Sequence, residues 1–297
     1  NKLYIAWQTW DANTSDGADA DIVLNVLDGD VWSPVAKPML GDQGNDYEPS
    51  LVVYDNLLYL VWRTDDKVSD GNDFDMVVRA FDGTQWNTPV EVTPSDEGAD
   101  DFHPSAQVID GELYVTWQTN LVGKDDDIVM RHCDGGSWSN LTVITSSEIL
   151  GYKDTGSDSY PLLMGHDDTL CLFWQTNDPD TGTGNDWDIV HLNYCDGKWS
   201  KLVEITSSND TGDDGGIYST GLSAIVFEGE LFLVWQTKDQ GTAAGGDWDL
   251  VFTQCSLDVD SSTDTADSGN TTVYLGIAVA VIALIAISLI LLTRKSP

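Results

Sequence analysis

The sequence predicts an all-β protein: a β-propeller of four-stranded antiparallel blades, followed by one C-terminal transmembrane helix. The first observation is a short strand ending in Trp-Gln-Thr, with Arg replacing Gln in the second repeat, that recurs five times. The second is a set of four strand-like runs in each complete repeat, and the third is a charge-free apolar stretch near the C-terminus. The tryptophans of the recurring strand are spaced 55, 55, 57 and 61 residues apart: Trp7, Trp62, Trp117, Trp174 and Trp235. A period of this length indicates a repeat architecture.

Four short runs bounded by Gly, Asp, Asn and Pro make up each repeat, and we label them A to D. In the second repeat they are Ser50–Tyr54, Leu57–Thr64, Asp75–Phe81 and Trp86–Val92. In the third they are Ser105–Ile109, Glu112–Thr119, Asp127–Cys133 and Trp138–Thr145, and in the fourth Leu162–Gly165, Thr169–Thr176, Asp188–Tyr194 and Trp199–Thr206. Four strands in about 55 residues form an antiparallel meander, which is the blade of a propeller.

Strand B is apolar on both faces. In the second repeat Leu58, Leu60 and Trp62 point to one side, while Tyr59 and Val61 point to the other. Such a strand is covered on both sides, as in a blade packed between two neighbours. We therefore expect the recurring tryptophans to pack in the core, with ligand stacking as the alternative.

The two ends of the repeat array are incomplete. The first repeat opens at strand B, and the fifth has strand A at Tyr218–Phe227, then B and C, but no D after Cys255. Because propellers protect their sheet edges by closing the ring, we expect further N-terminal sequence with at least a D strand and an A strand. That minimum gives five blades, and six to eight stay open.

The C-terminal part predicts a membrane anchor. Residues 1–255 form the propeller repeats, 256–272 an acidic Ser/Thr-rich stalk, 273–292 a transmembrane helix and 293–297 a short cytoplasmic tail. Twenty residues without a charge match the hydrocarbon thickness, and Arg294 and Lys295 set the orientation by the positive-inside rule. The propeller is thus expected outside the cell on a single-pass membrane protein.

The charge balance excludes nucleic-acid binding. The 297 residues carry 50 acidic against 13 basic side chains, a formal net charge of -37, which repels phosphate and attracts cations. Partners in this setting are glycans or other envelope proteins. There are four cysteines, Cys133, Cys171, Cys195 and Cys255, and three of them recur at one position of successive repeats, which resembles a tolerated small apolar residue more than a designed bridge. Exported topology makes this a candidate glycoprotein, with four acceptor sequons: Asn13, Asn140, Asn209 and Asn270.

Strands C and D are joined by Asp-Gly turns that precede a tryptophan: Asp28 before Trp32, Asp82 before Trp86, Asp134 before Trp138 and Asp196 before Trp199. Asp-Gly is a strong hairpin signal. The architecture of residues 2–255 resembles the sialidase-like (BNR, Asp-box) repeat propellers, whose Ser-x-Asp-x-Gly-x-Thr-Trp motif lies in this turn. The Ser of that motif is absent here, its place being taken by Val26, Ala80, His132 and Tyr194.

The resemblance implies an architecture without the activity. That family's site uses three arginines, a Tyr–Glu pair and an Asp, whereas the arginines before the anchor are Arg63, Arg79 and Arg131. Arg79 and Arg131 hold the same repeat position on strand C, so an arginine triad is not expected. We assign no catalytic residue from the sequence.

Acidic residues concentrate on the face where the B–C and D–A connections emerge, with 32 of the 50 acids in these segments. Each B–C loop ends in Asp-x-Asp, giving the pairs Asp19 and Asp21, Asp73 and Asp75, Asp125 and Asp127, Asp186 and Asp188, and Asp247 and Asp249. Two carboxylates on one side of a strand could share Ca²⁺. The alternatives are loop-ending hydrogen bonds to the backbone and adaptation to high salt, the latter typical of an archaeal or halophilic cell surface.

Aromatic residues accompany the acids on this face. In the D–A loops they are Tyr47, Phe102, Tyr160 and Tyr218, and on the B–C side Trp10, Trp187 and Trp248. Aromatic rings beside carboxylates suit sugar or peptide binding. The alternative is that these rings pack as plugs beneath the loops.

These patterns favour a membrane-anchored extracellular propeller that acts as a binding, adhesion or cell-envelope module, with Ca²⁺ as its expected cofactor. Binding is favoured over catalysis because no pair of carboxylates stands out among so many. Two alternatives remain: an exo-acting glycoside hydrolase that uses carboxylates at the ring centre, and a purely structural surface-layer component.

Overall fold

The computed structural model describes residues 2–11, 19–38, 44–66, 73–93, 98–121, 125–179, 187–206, 222–227, 230–237 and 249–256. Within these ranges the chain is all-β apart from one helical turn, α1 (Ser147–Leu150), which the sequence did not predict. Five antiparallel sheets follow one another along the chain. The fold is a five-bladed β-propeller.

The strands group into blades in chain order. The first sheet holds β1 (Lys2–Thr9), β2 (Asp21–Asp28) and β3 (Val31–Trp32). The second holds β4 (Asp46–Tyr54), β5 (Leu57–Thr64), β6 (Asp75–Phe81) and β7 (Val90–Glu91). The third holds β8 (Asp101–Ile109), β9 (Glu112–Thr119), β10 (Asp127–Cys133) and β11 (Thr142–Val143). The fourth holds β12 (Asp158–His166), β13 (Thr169–Thr176), β14 (Asp188–Cys195), β15 (Lys198–Trp199) and β16 (Val203–Glu204), and the fifth β17 (Ser223–Phe227), β18 (Glu230–Thr237) and β19 (Asp249–Ser256).

The predicted blade order is confirmed, but two strand types differ from their predicted bounds. In the second to fourth sheets strand A begins four residues earlier than predicted, at Asp46, Asp101 and Asp158. Strand D is shorter, because in the second sheet only Val90–Glu91 forms a ladder and Trp86 makes a single bridge to Phe81. The described part of the first sheet has no A strand, and that of the fifth has no D strand.

The blades stack face to face, and their apolar side chains meet between adjacent sheets. Trp62 packs with Ile22, Leu60 and Val77 between the first and second sheets. Trp117, Trp174 and Trp235 belong to three further clusters along the array. Core packing is therefore confirmed for these four tryptophans.

Trp7 does not follow the prediction of a buried tryptophan. It is 37% exposed, and Leu3 and Ile5 on the same side of β1 are 53% and 42% exposed. The first sheet is the end of the described array, so this side of β1 lacks the neighbouring blade that covers the other four tryptophans.

Each buried tryptophan of the second to fourth sheets also makes a polar contact. The indole Nε1 donates to the aspartate that begins strand A of the same sheet, giving the pairs Trp62–Asp46 at 2.7 Å, Trp117–Asp101 at 3.0 Å and Trp174–Asp158 at 2.6 Å. The threonine two residues later bends the chain, since Thr64 Oγ1 accepts from the Asp66 amide and Thr176 Oγ1 from the Asp178 amide, both at 3.1 Å. The recurring motif thus fixes the start of strand A, which we call the inner strand of its blade, and begins the B–C loop.

Adjacent blades among the first four are joined by the residue between the two aspartates of the first three Asp-x-Asp pairs. Its carbonyl accepts the amide of the aspartate that begins the next inner strand: Ala20 from Asp46 at 2.7 Å, Phe74 from Asp101 at 2.9 Å and Asp126 from Asp158 at 2.8 Å. The start of each strand A is thereby held from two sheets.

Cys133 and Cys195 are free, partly buried thiols, and Cys171 is buried in the core. The predicted anchor at 273–292 and the stalk at 256–272 lie beyond the described residues, apart from Ser256 at the end of β19. Across the described ranges, no helix has the length and apolar character needed to span a membrane.

The Trp–Asp contact gives a stability prediction. We expect Trp117→Phe to lower the free energy of unfolding by about 2–4 kcal/mol, because it leaves a cavity and removes the donor to a buried carboxylate. Urea unfolding followed by circular dichroism measures this. Trp32→Phe, at a side chain 47% exposed, is the matched control and should change stability by less than about 0.5 kcal/mol. Equal effects of the two variants would contradict the role given to the pair.

Candidate functional site

Three inner strands share a β-bulge near their first residue. The register shifts between Tyr47 and Ser50 in β4, between Phe102 and Ser105 in β8, and between Ser159 and Leu162 in β12. At each bulge one residue has a left-handed backbone: Glu48 with φ 56°, His103 with φ 54° and Tyr160 with φ 55°. Each precedes a proline, which favours an extended conformation instead. Such strained bulges concentrate at functional sites.

The bulged residues meet because β4, β8 and β12 pack side by side. His103 Nδ1 lies 3.3 Å from Glu48 Oε1, and the His103 amide donates to Glu48 Oε2 at 2.7 Å. The His103 ring stacks on Tyr160 with centroids 4.0 Å apart. From the first sheet, Gln8 Oε1 accepts the Glu48 amide at 2.8 Å. We call Gln8, Glu48, Arg63, His103 and Tyr160 the inner-strand cluster.

Arg63 is the fifth member, and it stands where the other repeats have Gln. Its Nε lies 3.2 Å from Glu48 Oε2 in an ion pair without the alignment of a hydrogen bond. The guanidinium carbon lies 4.9 Å from the Tyr47 ring centroid and 4.6 Å from those of Phe74 and Phe102. Cation–π contacts of this kind fix the guanidinium. Arg63 therefore ties the Glu48 carboxylate to three aromatic rings.

The cluster combines a carboxylate with two neutral polar rings. Burial lowers the pKa of His103; the Glu48 charge opposes this and the Arg63 charge adds to it, so the imidazole is neutral at pH 7. Burial raises the pKa of Tyr160, and the charge of Glu48 raises it further, so the phenol keeps its proton. Glu48 and His103 each keep 25% of their side-chain surface exposed. These groups can exchange hydrogen bonds and protons with a ligand.

A second carboxyl group, Asp126, belongs to the neighbouring blade. It lies between the two aspartates of an Asp-x-Asp pair and forms a hydrogen bond with Gln118. Gln118 holds in β9 the position that Arg63 holds in β5, and its strand partner is Phe102, one of the rings around Arg63. Burial raises the pKa of Asp126, the hydrogen bond to Gln118 opposes the rise and the nearby Asp125 supports it. Asp126 is thus easier to protonate than an ordinary aspartate.

The structure brings together some of the predicted aromatic ligands. Tyr47 and Phe102 surround Arg63, and Trp10 packs against Tyr47 with centroids 5.8 Å apart. Tyr160 also joins the cluster, but one position later in its strand, level with Glu48 and His103. Trp187 immediately precedes β14, whereas Tyr218 and Trp248 lie outside the described residues.

The predicted loop placement of Tyr47, Phe102 and Tyr160 is wrong. All three lie in strands, because the ladder continues across the bulge to the aspartate held by the tryptophan. Sequence reasoning missed Glu48, Arg63 and His103. Two signals were present: a residue preceding Pro at the same repeat position, as in Glu48-Pro49 and His103-Pro104, and one Arg in place of a recurring Gln.

In the first four Asp-x-Asp pairs the second aspartate has a structural partner. In three pairs the donor is the hydroxyl Oγ1 of the threonine two residues after strand D. The distances are 2.9 Å for Thr93 to Asp75, 2.7 Å for Thr145 to Asp127 and 2.8 Å for Thr206 to Asp188. Lys37 Nζ lies 3.2 Å from Asp21. Each contact ties strand C to the segment near strand D.

The Ca²⁺ assignment of these pairs stays a prediction. Asp19, Asp73 and Asp125 are described, while Asp186, Asp247 and the side chain of Asp249 are not. Within the described part of the chain, no group of three or more His, Cys, Asp or Glu residues is arranged to hold a metal ion. Of the sequons, Asn140 lies exposed after the third C–D turn, and Asn13, Asn209 and Asn270 are outside the described ranges.

Arg79 and Arg131 have structural roles away from the cluster. Arg79 Nε donates to the Asn87 carbonyl at 2.6 Å, and Arg131 Nε donates to the Ser139 carbonyl at 2.7 Å. Each also donates through Nη1 to a carbonyl contributed by the preceding blade, Pro38 for Arg79 and Val92 for Arg131. Among the described residues, Arg79 and Arg131 thus contact backbone carbonyls in their own and the preceding blade.

A separate group of three carboxyls lies at the start of β12. Burial raises the pKa of Asp154, and hydrogen bonding with Asp178 and the charge of Asp158 raise it further. The pKa of Asp158 is also raised, again chiefly by burial. Asp154 therefore holds a proton at neutral pH that stabilises its contact with the other two carboxyls.

Comparison with known proteins adds a fold-level likeness. An α-L-arabinanase of Penicillium chrysogenum in complex with arabinobiose matches with a TM-score of 0.51 and 16% identity, over 77% of this chain and 66% of that one. A GH93 α-L-arabinofuranosidase of Fusarium graminearum with arabinobiose matches at 0.52 and 17% over the same shares. The Hadza microbial sialidase Hz136 matches at 0.46 and 16% identity, over 80% of this chain and 52% of that one. The chain thus spans just under two thirds of the length of the first two proteins. No family model and no curated protein matches the sequence.

The prediction of a binding, adhesion or envelope module is wrong. The similar solved structures are glycoside hydrolases, which agrees better with the enzyme alternative than with a binding role. The sequence favoured binding because its acidic residues are so numerous that no single carboxylate could be distinguished from the others. The geometry singles out Glu48 through its bulge and its partners.

The Asp154 group gives a pH prediction. The folded protein keeps on Asp154 a proton that the unfolded chain releases above the ordinary carboxyl pKa of 3.8, so stability falls as pH rises from about 4. Asp154→Asn mimics the protonated form and should stabilise the fold at pH 8, with the difference vanishing at pH 4. Urea midpoints across this range measure the effect, with the exposed Asp168→Asn as control. A difference that stays constant with pH would contradict the shared proton.

Proposed function

We propose that the chain is a glycoside hydrolase and that the inner-strand cluster is its active site. The observation that carries the proposal is the Glu48 carboxylate, which lies where the inner strands of successive blades meet, between Arg63 and His103 and partly open to solvent. Support comes from the shared propeller fold of two enzymes whose names describe arabinose-releasing activity.

Two carboxyl groups with different protonation states are what glycoside hydrolysis needs. Glu48, paired with the Arg63 guanidinium, is the partner that faces the developing positive charge of the sugar ring or activates a water molecule. Asp126, whose pKa is raised by burial, is the group that donates a proton to the leaving oxygen. His103 and Tyr160 supply neutral hydrogen-bonding groups for the sugar hydroxyls.

The substrate class that we propose is an arabinofuranoside, as in the two similar enzymes. The predicted anchor at 273–292 would hold such an enzyme outside the cell, where polysaccharides occur. This location is a proposal that rests on the sequence.

Replacement of the central carboxylate tests the proposal. We expect Glu48→Gln to lower kcat on an aryl α-L-arabinofuranoside by roughly 10²–10⁴-fold, because the amide can neither take up a proton nor carry the negative charge. Glu148→Gln, at an exposed residue of α1, is the matched control and should keep full activity. Wild-type protein that hydrolyses no member of an aryl glycoside panel above the buffer rate would refute the function.

The proposed proton donor has its own test. Asp126→Asn should reduce kcat/KM strongly for a glycoside with a poor leaving group and much less for a dinitrophenyl glycoside, which leaves without protonation. The neighbouring Asp125→Asn should show no such dependence on the leaving group. Equal losses for both leaving groups in Asp126→Asn would assign the acid to another residue.

A further inference from the structure

A row of aromatic rings leads from solvent to the inner-strand cluster. Trp10 is 59% exposed, and its ring centroid lies 5.8 Å from that of Tyr47. Tyr47 lies 5.7 Å from Phe74, and Arg63 lies over both of these rings and over Phe102. We call Trp10, Tyr47 and Phe74 the aromatic row. It ends at Arg63, which is paired with Glu48.

The residues of the row come from two sheets, and backbone and side-chain contacts hold them in place. Trp10 directly follows β1, while Tyr47 lies in β4 and Phe74 precedes β6. The Tyr47 and Phe74 rings are held by the same guanidinium, and the Phe74 carbonyl accepts the amide of Asp101 from the third sheet. Rings held in this way lose little conformational freedom when a ligand binds.

The exposure of the row argues against the alternative that its rings only fill space beneath the loops. A ring that only fills space beneath a loop is buried, whereas more than half of the Trp10 surface is open. Tyr47 and Phe74 are also partly exposed. An aromatic surface of this kind binds the apolar faces of sugar rings.

The charges beside the row select a neutral ligand. Two aspartates next to the row in sequence reach the surface, the exposed Asp11 beside Trp10 and the partly exposed Asp73 beside Phe74, whereas Asp46 beside Tyr47 is buried against Trp62. The guanidinium at the inner end is already paired with Glu48. A uronic or sialic acid would be repelled by this surface, whereas neutral sugar hydroxyls can donate hydrogen bonds to carboxylates.

We propose that the aromatic row binds the chain of a neutral oligosaccharide that extends outward from the inner-strand cluster. The proposal rests on the proposed function for the reaction at Glu48, and it adds that the substrate is a neutral chain of several sugar units. Affinity then increases with the number of sugar units, because each added sugar ring contacts an aromatic side chain that lies further from Glu48.

Binding to the Glu48→Gln protein tests the row without turnover. The probes are arabino-oligosaccharides of two to six units, neutral xylo-oligosaccharides of the same lengths and acidic oligogalacturonides, each measured by calorimetry. We expect affinity for one neutral series to rise by at least about tenfold between two and four units, with no binding of the acidic series. Adding Trp10→Ala should abolish this rise, whereas adding Trp32→Ala, at an exposed tryptophan of β3 in the first sheet, should keep it.

The outcomes separate this proposal from the proposed function. Affinity that does not depend on chain length, a rise that survives Trp10→Ala, or preferred binding of the acidic series would overturn the row as a neutral-chain surface. If aryl glycosides are hydrolysed in any of these cases, the function of the cluster stands and the row alone fails. If a neutral series binds with the expected dependence on length and on Trp10 but wild-type protein hydrolyses nothing, the row stands and the hydrolase assignment fails.

Discussion

The hydrogen bond from a buried indole to a buried aspartate is the interaction on which the rest of the structure depends. Trp62, Trp117 and Trp174 donate to the first residue of the inner strand in their own sheets. A carboxylate in such a place costs free energy unless its oxygens are paired. Because the aspartate backbone is also bonded to the preceding blade, the start of each inner strand is fixed from two directions. The bulge that follows is held by this fixed point.

The fold could be predicted from sequence because its signals are local and repeated. A strand apolar on both faces, an Asp-Gly turn and a regular period each constrain the backbone within a few residues, and five copies reinforce one another. The predicted strand bounds were wrong where tertiary contacts determine the backbone conformation more strongly than local sequence preference does. Glu48 and His103 precede prolines and follow polar loops, a pattern typical of irregular structure, yet the ladder continues through them because the aspartate before them is held by the tryptophan.

The candidate site was only partly predictable for a related reason. Aromatic residues on the acidic face, such as Tyr47 and Trp10, could be found by composition and spacing. The importance of Glu48 could not, because one carboxylate among 50 acidic residues carries no signal until its neighbours are known. Its environment arises from residues 15 and 55 positions away in the chain, Arg63 and His103, that only the stacking of blades brings together.

The left-handed position at the bulge affects how the sequence of such a protein can diverge between its repeats. One backbone geometry occurs in three successive blades and presents a carboxylate, an imidazole and a phenol from Glu48, His103 and Tyr160. The buried Trp–Asp pairs hold the fold, and the side chains at the bulge provide the functional groups. The side chain at this position can therefore be substituted independently in each blade. A repeat protein with identical copies would offer only one functional group around its axis. Divergence at a single repeated site is enough to turn a symmetric frame into an asymmetric cluster of functional groups.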